Sequence, residues 1–282
     1  NVQALRAGQN VTDSFTVITA GGASQVVTLT VSGANDAPVI TSSAPSIDYT
    51  DTAANDSFSP TFYTVSATDV DGNPLTWGIQ SGTGGVASLA GSYGILTLSG
   101  NTFSYAPNDA AIEGLKANEI TVDSFTLRVT DGSVVRTQTL NVSVTGASDP
   151  TTFGGVVSAN VAEDGVLSAS GTMSVSDRDG GDAAINVQTN SVGSYGRFSI
   201  DAGGAWTYVL NNAAANVQAL KGGQSLTDTF FVNTAGGASQ SITLNVAGNN
   251  DAPVIGSIAP AIGYIDTPAD DNFSAALYTA SA

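Results

Sequence analysis

The sequence predicts an all-β protein made of tandem seven-stranded β-sandwich domains joined end to end. Short apolar runs alternate with Thr and Ser, as expected for half-buried antiparallel strands. Turn signals rich in Gly, Asn and Asp separate these runs, and the scarcity of Lys and Glu disfavours helices. The chain also repeats itself, because residues 1–67 match residues 216–282 at 43 of 67 positions without gaps.

The repeat includes a six-residue linker, Asn-Asp-Ala-Pro-Val-Ile, which occupies residues 35–40 and returns unchanged at residues 250–255. Proline fixes φ and lacks an N–H, and it also restricts the residue before it to extended conformations. Each linker is therefore predicted to be a stiff, extended joint between two β-domains.

Four segments follow from the repeat and the turn signals. We predict the C-terminal part of a sandwich over residues 1–35, complete sandwiches over 36–148 and 149–250, and the N-terminal part of a sandwich over 251–282. Residues 1–35 hold two strand-like runs, which bury too little to stand alone, so strands from outside this sequence are expected to complete them.

The two complete domains have the same predicted plan. Gly193-Ser194-Tyr195-Gly196 resembles Gly91-Ser92-Tyr93-Gly94, and one helical turn is predicted within residues 108–117. The strand alternation places most aromatic residues in the core rather than on a sugar-binding surface.

The candidate strands of the first complete domain are 38–50, 57–68, 75–80, 92–99, 102–106, 123–130 and 134–145.

Composition excludes several classes of function. With 24 acidic and 7 basic residues, the net charge of −17 argues against nucleic acid and anionic lipid as partners. The chain has neither Cys nor His, which removes disulfides, thiolate metal sites and the usual catalytic base. We do not expect an enzyme. Acidic pairs could in principle hydrolyse glycosides, but they recur with the repeat, and a repeated feature suits a structural role better than an active site. The acidity then reflects either a solvated surface or sites for divalent cations.

Two equivalent loops carry the strongest metal signal. Asp69-Val70-Asp71-Gly72 and Asp177-Arg178-Asp179-Gly180 each follow a predicted strand. Two carboxylates one residue apart, before a tight Gly turn, can converge on one Ca²⁺ ion. The alternative is an ordinary Asp-Gly turn with solvated side chains.

Sandwich topology predicts which residues join these loops. The start of the sixth strand and the exit linker of one domain are expected to meet the turn after the second strand of the next domain. The first joint would collect Asp13, Asn35, Asp36, Asp69 and Asp71, with Asp131 nearby. The second would collect Asp123, Asp149, Asp177 and Asp179, with Asp51 and Asp182 as extra ligands, and the third Glu163, Asp228, Asn250 and Asp251.

The order of the motifs Asn-Asp-Ala-Pro-Val, Gly-x-Tyr-Gly-x-Phe, Trp-Thr-Tyr, Val-Gln-Ala-Leu and Thr-Asp-Thr-Phe resembles the VCBS repeat of giant bacterial surface adhesins, interleaved with a cadherin-like domain. The resemblance covers essentially the whole chain. It implies Ig- and cadherin-like sandwiches that bind calcium in adhesins and biofilm proteins of the RTX type, which are often secreted by a type I system. The sequence departs from the family pattern in two places. The second linker is Ser148-Asp149-Pro150 and lacks the Asn and Ala of the first linker. Residues 36–148 also lack an early Glu, so Asp48 or Asp51 would have to take its place.

Two functions are consistent with these observations. The first is a repetitive stalk at the bacterial cell surface or in the extracellular space, with calcium-stiffened joints and neighbouring repeats as its partners. The alternative is a module that binds like chains or extracellular polysaccharide and builds a filament, matrix or surface layer. Exposed aromatic residues or an apolar lateral patch would favour the alternative, whereas polar flanks would favour the stalk.

Overall fold

The computed structural model describes residues 2–256, 261–265, 267–268, 272 and 275–279. These residues are almost entirely strands and loops, which confirms the all-β prediction. The chain divides into two compact units: Asn1–Thr152 with Ser176–Ala183, and Phe153–Val175 with Ala184–Ala282. The described part of the predicted segment 251–282 contains no strand, and the rest of that segment lies outside the described residues.

The first unit begins with a two-stranded hairpin. Strands β1 (Asn10–Ile18) and β2 (Ser24–Ser32) pair antiparallel after a 3₁₀ turn at Val2–Ala4. Phe15 in β1 is 54% exposed, whereas Phe230, its match in the repeat, is 7% exposed. The hairpin therefore presents an apolar face that the matching hairpin buries. That strands outside this sequence cover this face stays a prediction.

The first sandwich follows the hairpin in the same unit. A four-stranded sheet has the order β5-β11-β10-β9, a five-stranded sheet has the order β4-β13-β12-β7-β8, and β3 pairs with β6. The strands are β3 (Val39–Ile40), β4 (Ser46–Thr50), β5 (Thr61–Thr64), β6 (Ala67–Thr68), β7 (Thr76–Ser81), β8 (Gly84–Val86), β9 (Ser88–Ala90), β10 (Gly94–Ser99), β11 (Thr102–Pro107), β12 (Ile120–Thr130) and β13 (Val135–Thr145).

The predicted strands 38–50 and 57–68 are each broken in two. Residues 38–50 divide into β3, which pairs with β6, and β4, which runs parallel to β13. The break contains Pro45, which cannot donate a ladder hydrogen bond and is tolerated where a strand changes its partner. The predicted helical turn is confirmed as α1 (Asp109–Ile112), with Ile112 and Leu115 buried in the core.

The second sandwich has a related arrangement, with one five-stranded and one three-stranded sheet. Its sheets have the orders β14-β16-β19-β18-β17 and β15-β21-β20, and β15 runs parallel to β21 as β4 does to β13. The elements are β14 (Thr152–Gly155), β15 (Ser158–Ala162), β16 (Ser168–Ser176), β17 (Gln188–Val192), β18 (Gly196–Ile200), β19 (Ala205–Leu210), α2 (Ala215–Gln218), β20 (Ser225–Asn233) and β21 (Ser239–Ala247).

Most of the predicted inward-facing aromatic residues are buried. Phe103, Tyr105, Trp206 and Tyr208 are all at most 1% exposed, so they form the core rather than a binding platform. Phe231 is the exception at 64% exposure, because it follows the buried Phe230 and consecutive strand residues face opposite sides.

Candidate metal sites in the acidic clusters

The first acidic cluster consists of residues from the first linker, the first Asp-x-Asp-Gly loop and the turn after β12. The Asp36 N–H donates to Asp71 Oδ2 at 2.7 Å, and the Asp71 N–H donates to Asp69 Oδ1 at 2.9 Å. Asn35 Nδ2 donates to Asp131 Oδ2 at 2.8 Å. The structure thus brings together five of the predicted residues, and Asn73 completes the cluster by donating to Asn35 Oδ1.

Two carboxylate oxygens in this cluster are buried without a hydrogen-bond donor. They are Asp69 Oδ2 and Asp71 Oδ1. The loop has this shape because Gly72 adopts a φ of +66°, a left-handed conformation that suits glycine. A buried carboxylate oxygen without a partner is costly, so both oxygens are candidate ligands for a cation.

The second acidic cluster repeats this arrangement and extends it. The Asp149 N–H donates to Asp179 Oδ2 at 3.0 Å, and the Asp179 N–H donates to Asp177 Oδ1 at 2.9 Å. Thr151 Oγ1 donates to the other oxygen of Asp177. Since the loop 176–183 belongs to the first compact unit, the whole second cluster lies within that unit.

Three further carboxylates complete the second cluster. Among the described residues, Asp51, Asp56 and Glu113 are the group of three acidic side chains with ligand atoms within 4.8 Å of one another. Glu113 Oε1 accepts the Asp56 N–H at 2.8 Å, and Asp51 Oδ2 accepts the Ala147 N–H at 3.2 Å. Asp51 Oδ1 and Glu113 Oε2 are buried and accept no hydrogen bond.

A cleft of about 440 Å³ opens beside this group, lined in part by Asp56, Asp109 and Glu113. Lys116, next to the cluster, forms an ion pair with Asp182, the extra ligand predicted from the sequence. That pair leaves Asp182 at the margin of the cluster.

Burial shifts the acid–base behaviour of this cluster. Desolvation raises the pKa of Glu113, with a smaller contribution from the charge of Asp51, while Arg178 opposes the shift. Desolvation also raises the pKa of Asp149, again against the effect of Arg178. Both carboxylates therefore hold protons more readily in the folded, ion-free chain than in the unfolded chain.

Without calcium, the chain is expected to lose stability as the pH rises above about 4, which is the ordinary pKa of Glu and Asp side chains. The loss continues until the pH has passed the raised pKa values of Glu113 and Asp149 in the folded chain. The sign follows because the folded state binds more protons than the unfolded state over that interval. Urea unfolding in the presence of EDTA at pH 5 and at pH 7 measures the effect. Glu113→Gln should flatten the profile, and a wild-type chain more stable at pH 7 than at pH 5 would contradict the assignment. Asp131 and Asp164 do not affect the comparison between pH 5 and pH 7. Hydrogen bonds lower the pKa of both carboxyl groups, so their contribution to stability changes with pH only below about pH 4.

The third acidic cluster lies in the second unit. Glu163 is fully buried, its Oε1 accepts the Asn249 N–H at 2.7 Å, and its Oε2 has no donor. Asp164 accepts hydrogen bonds from Asn212 and Gln218, and Asp251 lies close enough to lower its pKa further. Glu163 thus binds the N–H of Asn249 in the linker that follows the second sandwich, as Asp51 binds the N–H of Ala147 after the first sandwich. In the first sandwich, Asp51 takes the role of the missing Glu.

Three predicted ligands lie elsewhere. Asp13 is exposed in β1 opposite Leu29, and no hydrogen bond connects it to Asn35 or Asp36. Asp123 is buried on the inward face of β12, where it accepts the N–H groups of Ser92 and Tyr93 and the hydroxyl of Tyr105. Asp228 makes the same three contacts with Ser194, Tyr195 and Tyr208.

These contacts correct the predicted placement of Asp123 and Asp228. Both oxygens of each carboxylate accept hydrogen bonds from turn N–H groups and a tyrosine hydroxyl inside the core. The physical reason is strand alternation, which places Asp123 on the same face as the buried Phe125 and Leu127.

Sequence reasoning missed several residues of the clusters. Glu113 and Gln218 occupy matching positions in the two domains, because each stands two residues before a leucine. The alignment of the domains therefore shows an acid in the first domain where the second has an amide. That difference was a usable signal. Asp56, Asn73 and Asp164 lie in loops and had no comparable signal.

The donor sets fit calcium. They consist of carboxylate and amide oxygens, the ligands that a hard cation takes, and each cluster holds at least one buried carboxylate oxygen without a donor. Uncompensated buried charge is expensive, and a bound cation would remove that cost.

Two sandwiches of one plan, with acidic clusters that include their linkers, define a tandem repeat protein of β-sandwich domains. The chain belongs to the bacterial cadherin-like domain family, whose model matches residues 35–146 and again residues 148–248. Cadherin-like domains are extracellular modules. None of the helices among the described residues has the length and apolar character needed to span a membrane.

Several solved structures are similar at low identity. Drosophila N-cadherin EC1-4 is 14% identical with a TM-score of 0.33, and the match covers 87% of this chain and 59% of that one. The protocadherin GammaB4 extracellular domain is 14% identical with a TM-score of 0.36, covering 84% and 37%. An endo-fucoidan hydrolase of glycoside hydrolase family 107 is 15% identical with a TM-score of 0.27, covering 87% and 34%.

The chain thus spans between about a third and three fifths of these structures, and at such TM-scores none of them informs its function. No curated protein matches the chain significantly.

Proposed function

We propose that this chain is a segment of an extracellular stalk in which calcium ions at the acidic clusters stiffen the linkers. One repeated observation carries the proposal. In both the first and the second cluster, a linker N–H is bound to the second Asp of an Asp-x-Asp-Gly loop, beside buried carboxylate oxygens that lack donors.

The chain's own residues would hold the ion as follows. In the first cluster, Asp69 Oδ2 and Asp71 Oδ1 would face it, with the side chains of Asn35 and Asp131 and the Asp36 backbone within the same network. In the second cluster, Asp51, Asp56 and Glu113 form the tightest group. Calcium, when bound, would supply the positive charge that these oxygens lack.

The mechanical consequence follows from charge. Without calcium, the carboxylates of a cluster repel one another across the linker, and the segments that carry them separate more easily. With calcium, the same carboxylates share one ion, and the linker is fixed to the loop through Asp36 or Asp149. Such a stalk suits a large bacterial adhesin or biofilm protein exported by a type I system.

The alternative of lateral assembly or polysaccharide binding has less support. Within the two sandwiches, the exposed aromatic residues Phe62 and Phe231 lie singly on the edge strands β5 and β20, whereas the exposed apolar face of the β1–β2 hairpin, with Phe15, is a feature that favours the alternative. Isolated exposed apolar residues are normal on protein surfaces.

Small-angle X-ray scattering and thermal melting, with EDTA and then with millimolar calcium, test the stalk proposal. Calcium should increase the maximum dimension and raise the melting temperature. A tenfold excess of calcium over Kd stabilises by about 1.4 kcal/mol per site, and extracellular modules have Kd values of about 10⁻⁴–10⁻³ M. Sodium chloride at matched ionic strength controls for charge screening. An unchanged dimension together with an unchanged melting temperature would refute the proposal.

A further inference from the structure

The two Asp-x-Asp-Gly loops differ at the residue between their acids. The first loop has Val70, which is 52% exposed, and the second has Arg178. The second loop therefore carries a positive charge at the centre of an acidic cluster, and the first does not.

Arg178 lies between two buried carboxylates. Its Nη1 is 3.2 Å from Glu113 Oε2, and its Nη2 is 3.0 Å from Asp149 Oδ1. Neither oxygen accepts a hydrogen bond of good geometry, so the attraction is mainly that of opposite charges. The Arg178 side chain is about one-third exposed, whereas the Glu113 and Asp149 side chains are 5% and 0% exposed, so the Arg reaches inward from the cleft.

This placement connects separate parts of the chain. Glu113 directly follows α1, Asp149 belongs to the linker, and Arg178 lies on the loop. One side chain thus neutralises part of the cluster and ties the loop to both other elements, which is the role proposed for the metal ion.

The first cluster has no equivalent. Arg6 lies beside it but donates to the carbonyl oxygens of Asp71 and Gly72 rather than to carboxylates. Among the residues that the structure describes, no ion pair involves a carboxylate of the first cluster. Its buried oxygens on Asp69 and Asp71 remain without a cation from the chain.

We propose that Arg178 is a tethered cation that takes the place of a metal ion between Glu113 and Asp149. It holds the second linker in place without calcium, and it competes with calcium for the second cluster. The competition rests on the proposed calcium function, whereas the tethering does not. A chain of such units would alternate linkers that depend strongly on calcium with linkers that depend on it less.

Hydrogen exchange read by mass spectrometry on the full chain tests the tether. The amides of Asp36 and Asp149 both donate to loop carboxylates, so peptides covering residues 34–38 and 146–151 report on the two linkers separately. In EDTA, Arg178→Val should speed exchange at 146–151 by about tenfold or more, as expected when a buried charge loses its partner, and leave 34–38 unchanged. Arg197→Val, which removes an exposed charge from β18, should change neither peptide.

Calcium titration by calorimetry tests the competition. Arg178→Val should bind calcium more tightly at the second cluster, and 10 mM calcium should restore protection at 146–151. Arg178→Lys, which keeps the charge, should stay close to wild type and guards against a folding defect in the Val variant. Unchanged exchange in EDTA would overturn the tether, and weaker calcium binding by the Val variant would overturn the competition. If neither protein binds calcium while the Val variant still exchanges faster, the calcium function fails and the tether stands.

Discussion

Asp228→Ala is expected to destabilise the second sandwich by about 3 kcal/mol or more, because each buried donor left without an acceptor costs about 1–3 kcal/mol. The Asp228 carboxylate is 2% exposed and accepts three hydrogen bonds, from the N–H groups of Ser194 and Tyr195 and from the Tyr208 hydroxyl. Alanine would leave these three donors buried without an acceptor. Urea unfolding followed by Trp206 fluorescence, in a Trp77→Phe background, measures the loss.

The repeat supplies a matched control. Asp13 occupies the position of Asp228 in the first hairpin but is exposed, so Asp13→Ala should change stability by no more than about 0.5 kcal/mol. Similar small effects of both substitutions would show that the Asp228 contacts do not contribute to stability.

The same contacts explain the Gly-Ser-Tyr-Gly motifs. A Cβ at Gly193 would overlap the Asp228 carboxylate, and a Cβ at Gly91 would overlap that of Asp123. The glycine thus lets the turn approach the strand that carries the acid. Burial and the neighbouring carboxylate also raise the pKa of Tyr208, which keeps its hydroxyl a donor at neutral pH.

The double variant Asp69→Asn, Asp71→Asn is expected to abolish calcium-dependent stabilisation at the first cluster. At a hundredfold excess of calcium over Kd, that loss is about 2.7 kcal/mol. In EDTA the variant should melt at the wild-type temperature or slightly above it, because repulsion between carboxylates is relieved. Calorimetric titration and melting with and without calcium measure both effects.

The control for this variant removes the same charge elsewhere. Asp48→Asn with Glu119→Gln alters two exposed carboxylates of the first unit outside the clusters, and it should leave calcium binding unchanged. If the Asp69/Asp71 variant bound as many calcium ions as wild type, these residues would be ordinary turn formers. The stiffness of the linker would then have to come from Pro38 and its neighbours.

Local patterns in the sequence predicted much of the fold. The turn signals at Asp71-Gly72, Gly100-Asn101 and Asp131-Gly132 separate observed strands, whereas β8 and β9 lie where a Gly-rich turn and a loop were predicted. The change of partner between β3 and β4 was missed, because residues 38–50 were taken as one strand although Ser42, Ser43 and Pro45 mark the break. Strand pairing is a long-range property that a local pattern does not determine.

The candidate sites were predicted in part for the same reason. The Asp-x-Asp-Gly loops and their linkers are short motifs with readable chemistry, and the structure brings Asp36 to Asp71 and Asp149 to Asp179. Glu113 was missed because the Asp56 amide that it binds is 57 residues away in the sequence. Asp123 and Asp228 were assigned to the joints although their alternation with buried Phe residues indicated the core.

Anomalous diffraction from crystals grown in 10 mM calcium would locate the proposed ions. Calcium peaks are expected within about 2.3–2.6 Å of ligand oxygens, at Asp69 Oδ2 and Asp71 Oδ1 in the first cluster and within the Asp51, Asp56 and Glu113 group in the second. Clusters that held only water at this calcium concentration would contradict the proposal.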